Sequence, residues 1–179
     1  MNISFTGAHS TGKSTLLAKC RDVYGNRFEY VPEVTRSLAR KGIKINEEGN
    51  NLTQLLVLNS HIENSLLDDA VLDRCIIDGC VYTRYLCDQG KVDAWVFEYA
   101  CNVHNTIIGK LDVIFYTDAD IPLVADGQRS VNVKFREGIV RLFEDHIKGL
   151  QSSPSFKGKV VRLSGNVDER MNIISKVIN

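Results

Sequence analysis

The chain has 179 residues, of which 44% are hydrophobic and 25% charged, and its 22 basic residues balance its 22 acidic ones. This length and composition predict a single globular domain, residues 1–179, large enough to bury a full core. The zero net charge argues against capture of nucleic acid by a broad basic face, and the lack of a long apolar run in the sequence argues against a signal peptide or membrane span. We therefore expect a cytoplasmic protein with no membrane partner.

Apolar, strand-like segments alternate with amphipathic, helix-like ones along the sequence. Strands are predicted within residues 2–6, 27–33, 70–74, 111–118 and 159–165. Helices are predicted at 13–24, 34–42, 52–67, 79–88, 92–108 and 167–178, with a further one after residue 137 that ends near Gly149. This alternation predicts an α/β fold, in which a parallel sheet is covered by helices on both faces.

The helix predicted at 52–67 has a candidate buried stripe, on which Leu55, Leu56, Asn59, Ile62 and Leu66 recur at helical spacing. His61, in the same segment, has no metal-ligating companion nearby in the sequence. We expect it to lie at a solvated position of this helix.

The strongest motif is "GAHSTGKS", at residues 7–14, between the first strand and the first helix. It fits the phosphate-binding loop pattern, in which backbone N–H groups of a glycine-rich turn and of a helix N-terminus surround an anion. Lys13 is expected to reach the β- and γ-phosphates of a nucleoside triphosphate, and the Ser14 hydroxyl to ligate Mg²⁺. The residues expected to bind ATP are Gly7, His9, Ser10, Thr11, Gly12, Lys13, Ser14 and Thr15.

A second Mg²⁺-binding group is expected at the end of a neighbouring strand. Asp73, which closes "AVLD", is the best candidate, and it would hold the ion through water. Asp118 ranks second because it is expected to begin a loop. Asp78 is open between capping the helix that starts at residue 79 and contacting substrate.

Charged residues elsewhere are candidates for binding the acceptor. Glu33 and Arg36 lie just past a strand end in "VPEVTR", where a carboxylate could orient or deprotonate a hydroxyl and an arginine could pair with an anion. The alternative is a helix N-terminal glutamate and a surface arginine.

The polar segment 126–137 after the fourth strand is predicted to be a mobile lid. It contains Arg129, Lys134 and Arg136, which are expected to stabilise charge on a transferring phosphoryl group when the lid closes. The alternative is a solvated charged loop with no catalytic role. Arg162 and Arg170 flank another loop, which is a candidate for a nucleobase contact.

The ordered motifs "GAHSTGKST", "VPEVTR", "LDRCIIDGCVYTRYL", "DVIFYTDADIPLVADGQRS" and "VVRLSG…DER" resemble an AAA-like P-loop kinase group that includes the nicotinamide-riboside kinase domain of the bacterial NAD regulator. The resemblance covers nearly the whole chain. It implies a three-layer sandwich around a five-stranded parallel sheet of order 2-3-1-4-5, with ATP and Mg²⁺ as cofactors.

The resemblance also implies roles for residues of this sequence. Lys13, Ser14 and Thr15 would serve ATP–Mg²⁺, and Asp73 with Arg74 would occupy the acidic strand-end position. Glu33 with Arg36 would match the acceptor-side motif, and Asp126 with Arg129 the lid. The resulting candidate catalytic residues are Lys13, Glu33, Asp73 and Arg129; the candidate substrate-binding residues are Glu33, Arg36, Arg74, Asp78, Asp126 and Arg136; and Ser14 and Asp73 are the candidate metal ligands.

Three functions stay open at this point. The leading hypothesis is a kinase that phosphorylates a hydroxyl of a small nucleoside-like or nucleotide acceptor. A second is a kinase acting on a hydroxymethylated base in DNA, which the zero net charge disfavours. The third is an ATPase or switch module that works through a protein partner. A second copy of the chain is also a candidate partner.

Overall fold

The computed structural model of the protein describes residues 1–121 and 132–178. The strands are β1 (Ile3–Thr6), β2 (Glu29–Val31), β3 (Ala70–Asp73), β4 (Val113–Thr117) and β5 (Lys159–Leu163). The α-helices in these ranges are α1 (Lys13–Tyr24), α2 (Val34–Arg40), α3 (Asn51–Asn64), α4 (Ile76–Asp88), α5 (Ala94–Ile107), α6 (Val133–Leu150) and α7 (Val167–Ile178).

The five strands form one sheet of order β2-β3-β1-β4-β5, in which all neighbours are parallel. This confirms the α/β fold and the strand order that the resemblance implied. β1 lies at the centre, paired with β3 on one side and β4 on the other. Because successive strands leave β1 toward opposite edges of the sheet, the crevice at its carboxyl end is the place where such folds bind ligands.

A separate hydrophobic core covers each face of the sheet. On one face, Ile3 and Phe5 of β1 pack with Leu16 of α1 and Ile174 of α7. On the other face, residues of α3, α4, α5 and α6 pack against alternate residues of β3 and β4, among them Tyr116. Both faces of the three central strands, β1, β3 and β4, are therefore buried, whereas the edge strands β2 and β5 are partly exposed. No helix within the described ranges is both long and apolar enough to cross a membrane.

The predicted buried stripe of α3 is only partly confirmed, because Leu55 and Ile62 are half-buried against hydrophobic clusters but two other members of the stripe are exposed. Leu66 lies beyond the helix and is 79% exposed, and Asn59 is also exposed. The buried face is instead formed by five residues at helical spacing, namely Thr53, Gln54, Val57, Leu58 and His61. The expectation of a solvated His61 is wrong for the same reason, because polar residues of this helix face the interior.

Two other helices begin earlier than the sequence indicated. α4 begins at Ile76, and Cys75 is its N-cap residue. Asp78 therefore lies in the first turn of the helix and caps it by accepting a hydrogen bond from the backbone N–H of Cys75. α6 begins at Val133, with Asn132 as its N-cap, so Lys134 and Arg136 belong to this helix and not to a loop. The remainder of the predicted lid, with Asp126 and Arg129, lies outside the described residues.

Candidate active site

The loop between β1 and α1 turns at the carboxyl edge of the sheet, against the end of β4. A Cβ atom on Gly7 would lie 2.7 Å from both the carbonyl oxygen and Oγ1 of Thr117. Gly7 and Gly12 also have positive φ angles, of 133° and 84°. Only glycine satisfies both demands at Gly7, so this residue lets the loop close tightly in front of the N-terminus of α1. The loop and the helix end together form an anion-binding geometry.

Lys13, the first residue of α1, is folded over the loop. It is 4% exposed, and its Nζ donates to the carbonyl oxygens of Gly7, at 2.9 Å, and of Ala8, and to Thr11 Oγ1 at 3.1 Å. Burial, reinforced by the positive charge of Arg74, lowers the pKa of Lys13 to about 7. A nearby anion would favour the charged form, so we expect anion binding to raise this pKa again.

Thr11 and His9 are integrated into the protein interior. Thr11 Oγ1 donates to the carbonyl of Ala8 at 2.9 Å and lies 2.7 Å from Thr117 Oγ1. The His9 ring stacks on Phe135 of α6, with centroids 5.3 Å apart. Burial, with the charges of Arg74 and Lys13, lowers the pKa of His9 to about 4, so this ring is neutral at pH 7. Ser10 is buried, and Thr15 is exposed on α1.

Ser14 and Asp73 lie together, as the metal-site prediction required. Ser14 Oγ donates to Asp73 Oδ2 at 2.6 Å, and Asp73 is 4% exposed. Asp73 Oδ1 is buried without a hydrogen-bond partner among the described residues. Burial, with the charge of Glu33, raises the pKa of Asp73. An unpaired, buried carboxylate oxygen beside a hydroxyl fits a hard divalent cation such as Mg²⁺, which binds oxygen ligands.

Glu33, Arg74 and Asp78 form a buried charge cluster beside the loop. Arg74 Nε donates to Glu33 Oε1 at 2.6 Å, and Arg74 Nη1 donates to Asp78 Oδ1 at 2.8 Å. Arg74 is 8% exposed and has a φ of 85°, a conformation that is strained for a residue with a side chain. Burial alone would raise the pKa of Glu33, but the charge of Arg74 and the hydrogen bond from Thr35 outweigh it and hold this pKa well below its usual range.

Both carboxylate oxygens of Asp78 accept hydrogen bonds from other residues of the protein. Oδ2 accepts from Thr6 Oγ1 at 2.6 Å and from the backbone N–H of Cys75 at 3.1 Å, while Oδ1 accepts from Arg74. Of its two predicted roles, the helix cap is therefore the one its contacts serve. Asp78 also fixes Arg74, which in turn fixes Glu33.

A cavity opens next to this cluster, between α2, α3 and α4. It encloses about 460 Å³ of empty space, part of it open to solvent. Its walls combine the charge cluster with Val34, Thr35, Ile45, Asn46, Thr53, Gln54, Val57, His61 and Tyr82. Arg36 lies outside this lining and is held by Ser14 Oγ, at 3.2 Å, and by Glu33.

Arg136 approaches the loop from α6. Its Nη2 donates to the carbonyl of Ile121 at 2.7 Å, and the Ile121 side chain would lie 3.3 Å from a Cβ on Gly12. Arg136 Nε is buried without a partner among the described residues. Arg136 therefore lies near the phosphate loop, and its substrate-binding role stays a prediction.

Arg162 and Arg170, near β5, each form ion pairs with acidic side chains of the protein. Arg162 pairs with Asp118, at 2.9 Å, and with Glu144. This places Asp118, the second-ranked metal ligand, in an ion pair on the far side of β4 from Asp73. Arg170 is 1% exposed; it donates to the carbonyl of Thr11 at 2.6 Å and pairs with Asp120.

Sequence reasoning missed the contacts of several of these residues. Arg170 was named only as flanking a candidate nucleobase loop, whereas it donates to the carbonyl of Thr11, 159 residues away, in the phosphate loop. Gln54 and His61 are on a helix whose apolar residues suggested a different buried face, and Tyr82 was given no role although it lies in the motif "LDRCIIDGCVYTRYL". The one available signal was the polar character of positions 53, 54 and 61, which share one side of α3.

Comparisons with known proteins give a family and a fold for the chain. The model of the AAA_28 family, an AAA domain, matches residues 2–170. No curated protein matches the chain. A structure of deoxyadenosine kinase from M. mycoides with dCMP and dCDP bound has a TM-score of 0.71 at 17% identity, covering 100% of this chain and 99% of that chain.

Two further solved structures have similar folds. Thymidylate kinase from Candida albicans has a TM-score of 0.70 at 18% identity, covering 99% of this chain and 90% of that chain. NadR protein in complex with NAD and AMP-PNP has a TM-score of 0.71 at 15% identity, covering 98% of this chain but 48% of that chain. This chain thus corresponds to about half of NadR. At these identities the likeness shows a common fold.

Proposed function

Since the chain belongs to the AAA_28 family and shares its fold with two nucleoside or nucleotide kinases, we propose that it is a P-loop kinase. It binds ATP with Mg²⁺ and transfers the γ-phosphoryl group to a hydroxyl of a nucleoside-like or nucleotide acceptor. The acceptor occupies the cavity between α2, α3 and α4.

The observation that carries this proposal is the continuity between the phosphate loop and the cavity. Arg74 bonds Glu33 at the cavity wall, and its Nη1 lies 3.5 Å from the carbonyl oxygen of Gly7 in the loop. A module that only hydrolyses nucleotide has no need of a cavity beside the phosphate loop with a largely buried carboxylate, Glu33, in its wall. An acceptor hydroxyl beside Glu33 would face the end of a triphosphate held by the loop.

Ser14 and Asp73 would hold Mg²⁺, which neutralises charge on the phosphates when bound. Lys13 binds the β- and γ-phosphates, and the loop backbone surrounds them. Phosphoryl transfer has a loose transition state, so these residues act mainly by positioning and by stabilising charge.

In the transfer step, the acceptor oxygen forms a bond to the γ-phosphorus, and the bond from this phosphorus to the β–γ bridging oxygen breaks, so ADP leaves. Glu33 orients the acceptor by accepting the hydrogen bond of its hydroxyl. Because its pKa is well below the usual range, Glu33 is a weak base. The hydroxyl proton therefore passes to the product phosphate and then to solvent.

Glu33→Gln is expected to lower kcat by about 100-fold, because the amide donates where the carboxylate accepts. ATP affinity should change little, because Glu33 contacts the acceptor and Arg74. Coupled kinetics and calorimetric titration with ATP–Mg²⁺ measure the two effects. The control is Glu29→Gln, an exposed glutamate of β2. A loss of ATP affinity as large as the loss of kcat would place Glu33 in the nucleotide site instead.

The lowered pKa of Lys13 predicts proton uptake when ATP binds. In the free protein Lys13 loses its proton as pH rises through about 7, whereas bound phosphate raises its pKa. ATP affinity should therefore fall by up to about tenfold per pH unit above that point.

Calorimetry at about pH 8, in two buffers of different ionisation enthalpy, should detect uptake of close to one proton per ATP bound. Lys13→Arg keeps its charge at this pH and should abolish the uptake. An affinity that stays constant from neutral to alkaline pH would contradict the prediction.

The direct test of the function is phosphorus NMR of ATP–Mg²⁺ with the protein, alone and with pooled nucleosides, ribosides and monophosphates. A new phosphomonoester or diphosphate signal that requires the pool establishes the kinase, and dividing the pool identifies the acceptor. ADP and free phosphate at one slow rate in every tube would favour an ATPase module. Phosphate on added DNA alone would favour the polymer substrate.

A further inference from the structure

One wall of the acceptor cavity carries a histidine that the proposed transfer step does not use. His61, on the buried face of α3, is 4% exposed. Neither Nδ1 nor Nε2 has a hydrogen-bond partner among the described residues. Burying a polar atom without a partner costs free energy, so a ring with both nitrogens unpaired needs a reason.

The ring is held in place by α4. A Cβ atom on Gly79 would lie 3.1 Å from Cδ2 of His61 and 3.0 Å from Leu58, so α4 packs closely on this part of α3 only because residue 79 is glycine. His61 also lines a second, smaller cavity near Asn2 and Leu72. The imidazole is therefore fixed between the two cavities and lines both of them.

The imidazole is also uncharged. Burial lowers the pKa of His61 to about 4, although Asp78 opposes this effect and Arg74 adds to it. These two residues are the charged groups that act on it, and they pair with each other in the cavity wall. At neutral pH His61 thus presents one N–H donor and one nitrogen acceptor, which complement a heterocycle that carries donors and acceptors on its edge.

Charged and uncharged residues come to the cavity from different elements. Its lining contains Glu33, Asp78 and Arg74, and both acidic groups pair with this arginine. Arg74 links this cluster to the phosphate loop, since its Nη1 lies 3.5 Å from the carbonyl oxygen of Gly7. The residues that α3 contributes to the lining, His61 and Val57 among them, are all uncharged. An acceptor hydroxyl would bind beside Glu33, and the uncharged ring of the same molecule against α3.

We propose that His61 is a specificity-determining residue, which reads the heterocyclic ring of the acceptor through a hydrogen bond from its neutral imidazole. This inference rests on the proposed kinase function, because it assigns the cavity to the acceptor. A site that hydrogen-bonds a ring atom rejects analogues that lack this atom, since its buried polar group is then left unpaired.

The kinetic test uses the acceptor identified by phosphorus NMR and ring analogues of it, each lacking one donor or acceptor. With the wild-type protein, one analogue should lose about 10- to 100-fold in kcat/KM. With His61→Leu, the parent acceptor should lose a similar factor and this analogue should lose nothing more. His61→Gln should recover part of the parent rate, because its amide keeps a donor and an acceptor.

Controls separate this role from a structural one. KM for ATP should stay within about twofold of wild type in both variants, since His61 does not touch the phosphate loop. His146→Gln changes a half-buried histidine between α5 and α6, away from the cavity, and should leave discrimination between analogues unchanged. Uniform loss for every analogue, with a raised KM for ATP, would overturn the proposal.

A binding measurement keeps the result independent of turnover. The chain has four histidines, so nitrogen NMR of histidine-labelled protein resolves few ring signals, and the His61→Gln spectrum assigns that of His61. Adding the acceptor should shift this signal and leave that of His146 in place. If the wild-type protein phosphorylates the acceptor but the His61 signal does not move, the kinase function stands and the His61 assignment fails. If no acceptor is phosphorylated and none shifts the signal, both fail.

Discussion

Lys13→Ala is expected to lower turnover by at least about 1,000-fold, because it removes the cation that would contact the transferring phosphoryl group. Its Nζ already lies within hydrogen-bond distance of three loop atoms, so it needs little movement to meet a bound triphosphate. ATP affinity should fall as well, since the ammonium contacts ATP before and during transfer.

Loss of stability should not accompany this loss of activity. The lowered pKa of Lys13 means that the fold disfavours the charged ammonium at this position, so its removal relieves that cost. The melting temperature of the nucleotide-free variant should therefore stay close to the wild-type value. Lys19→Ala, at an exposed lysine of the same helix, is the matched control for turnover. A Lys13→Ala protein with more than about a tenth of wild-type turnover would exclude a role in charge stabilisation.

The parts of this site that are predictable from sequence follow from local chain geometry. Gly7, Gly12 and Lys13 are contiguous in the chain, so their spacing alone specifies a loop followed by a helix. Glu33 follows β2 and Asp73 is the last residue of β3, and a parallel sheet brings the carboxyl ends of its strands to one edge. The sequence therefore predicts that both carboxylates lie near the phosphate loop.

The remaining parts depend on contacts between distant segments. His61 and Gln54 appear as polar residues of an amphipathic helix, and periodicity assigns such residues to solvent. They are buried because this side of α3 borders a cavity. Arg170 is likewise a charged residue in a helical pattern, and only the packing of α7 beside the loop brings it to Thr11. Polar side chains that are buried by contacts with distant segments are therefore the residues that periodicity misplaces.

The capping prediction for Asp78 shows the same limit at shorter range. The sequence correctly indicated a cap near this residue but placed the start of the helix at residue 79. The observed start at Ile76 puts Asp78 at the third helical position, where it accepts from the backbone of Cys75 and also reaches Arg74. A cap that also holds a buried arginine joins the fold of α4 to the candidate active site.

This link makes Arg74→Ala the substitution with the largest expected effect on stability. It leaves Glu33 and Asp78 without their cationic partner, and both carboxylates are largely buried. Removing one partner of a buried charge network typically costs about 3–5 kcal/mol of the free energy of unfolding. Alanine adopts the φ of 85° no more easily than arginine does, so the loss reports on the side chain and not on the backbone.

The chain offers a matched control in Arg84→Ala. Arg84 pairs with Asp88 at the same four-residue spacing and at 2.9 Å, but both side chains are about half exposed. Exposed pairs of this kind contribute about 0–1 kcal/mol, so chemical denaturation should separate the two variants by several-fold in lost stability. Equal losses would contradict a buried network at Arg74.

A double variant tests the physical cause. If the cost arises from unpaired carboxylates, Glu33→Gln should destabilise the Arg74→Ala protein less than it destabilises the wild type, or should stabilise it, because it removes one of the stranded charges. If the cost arises only from lost packing of the arginine over the Tyr82 ring, 5.2 Å from its centroid, the two changes should be additive. Non-additivity would mean that the charge of Arg74 holds Glu33 in position. Glu33 is the carboxylate expected to orient the acceptor, and the pair lies between the phosphate loop and the cavity.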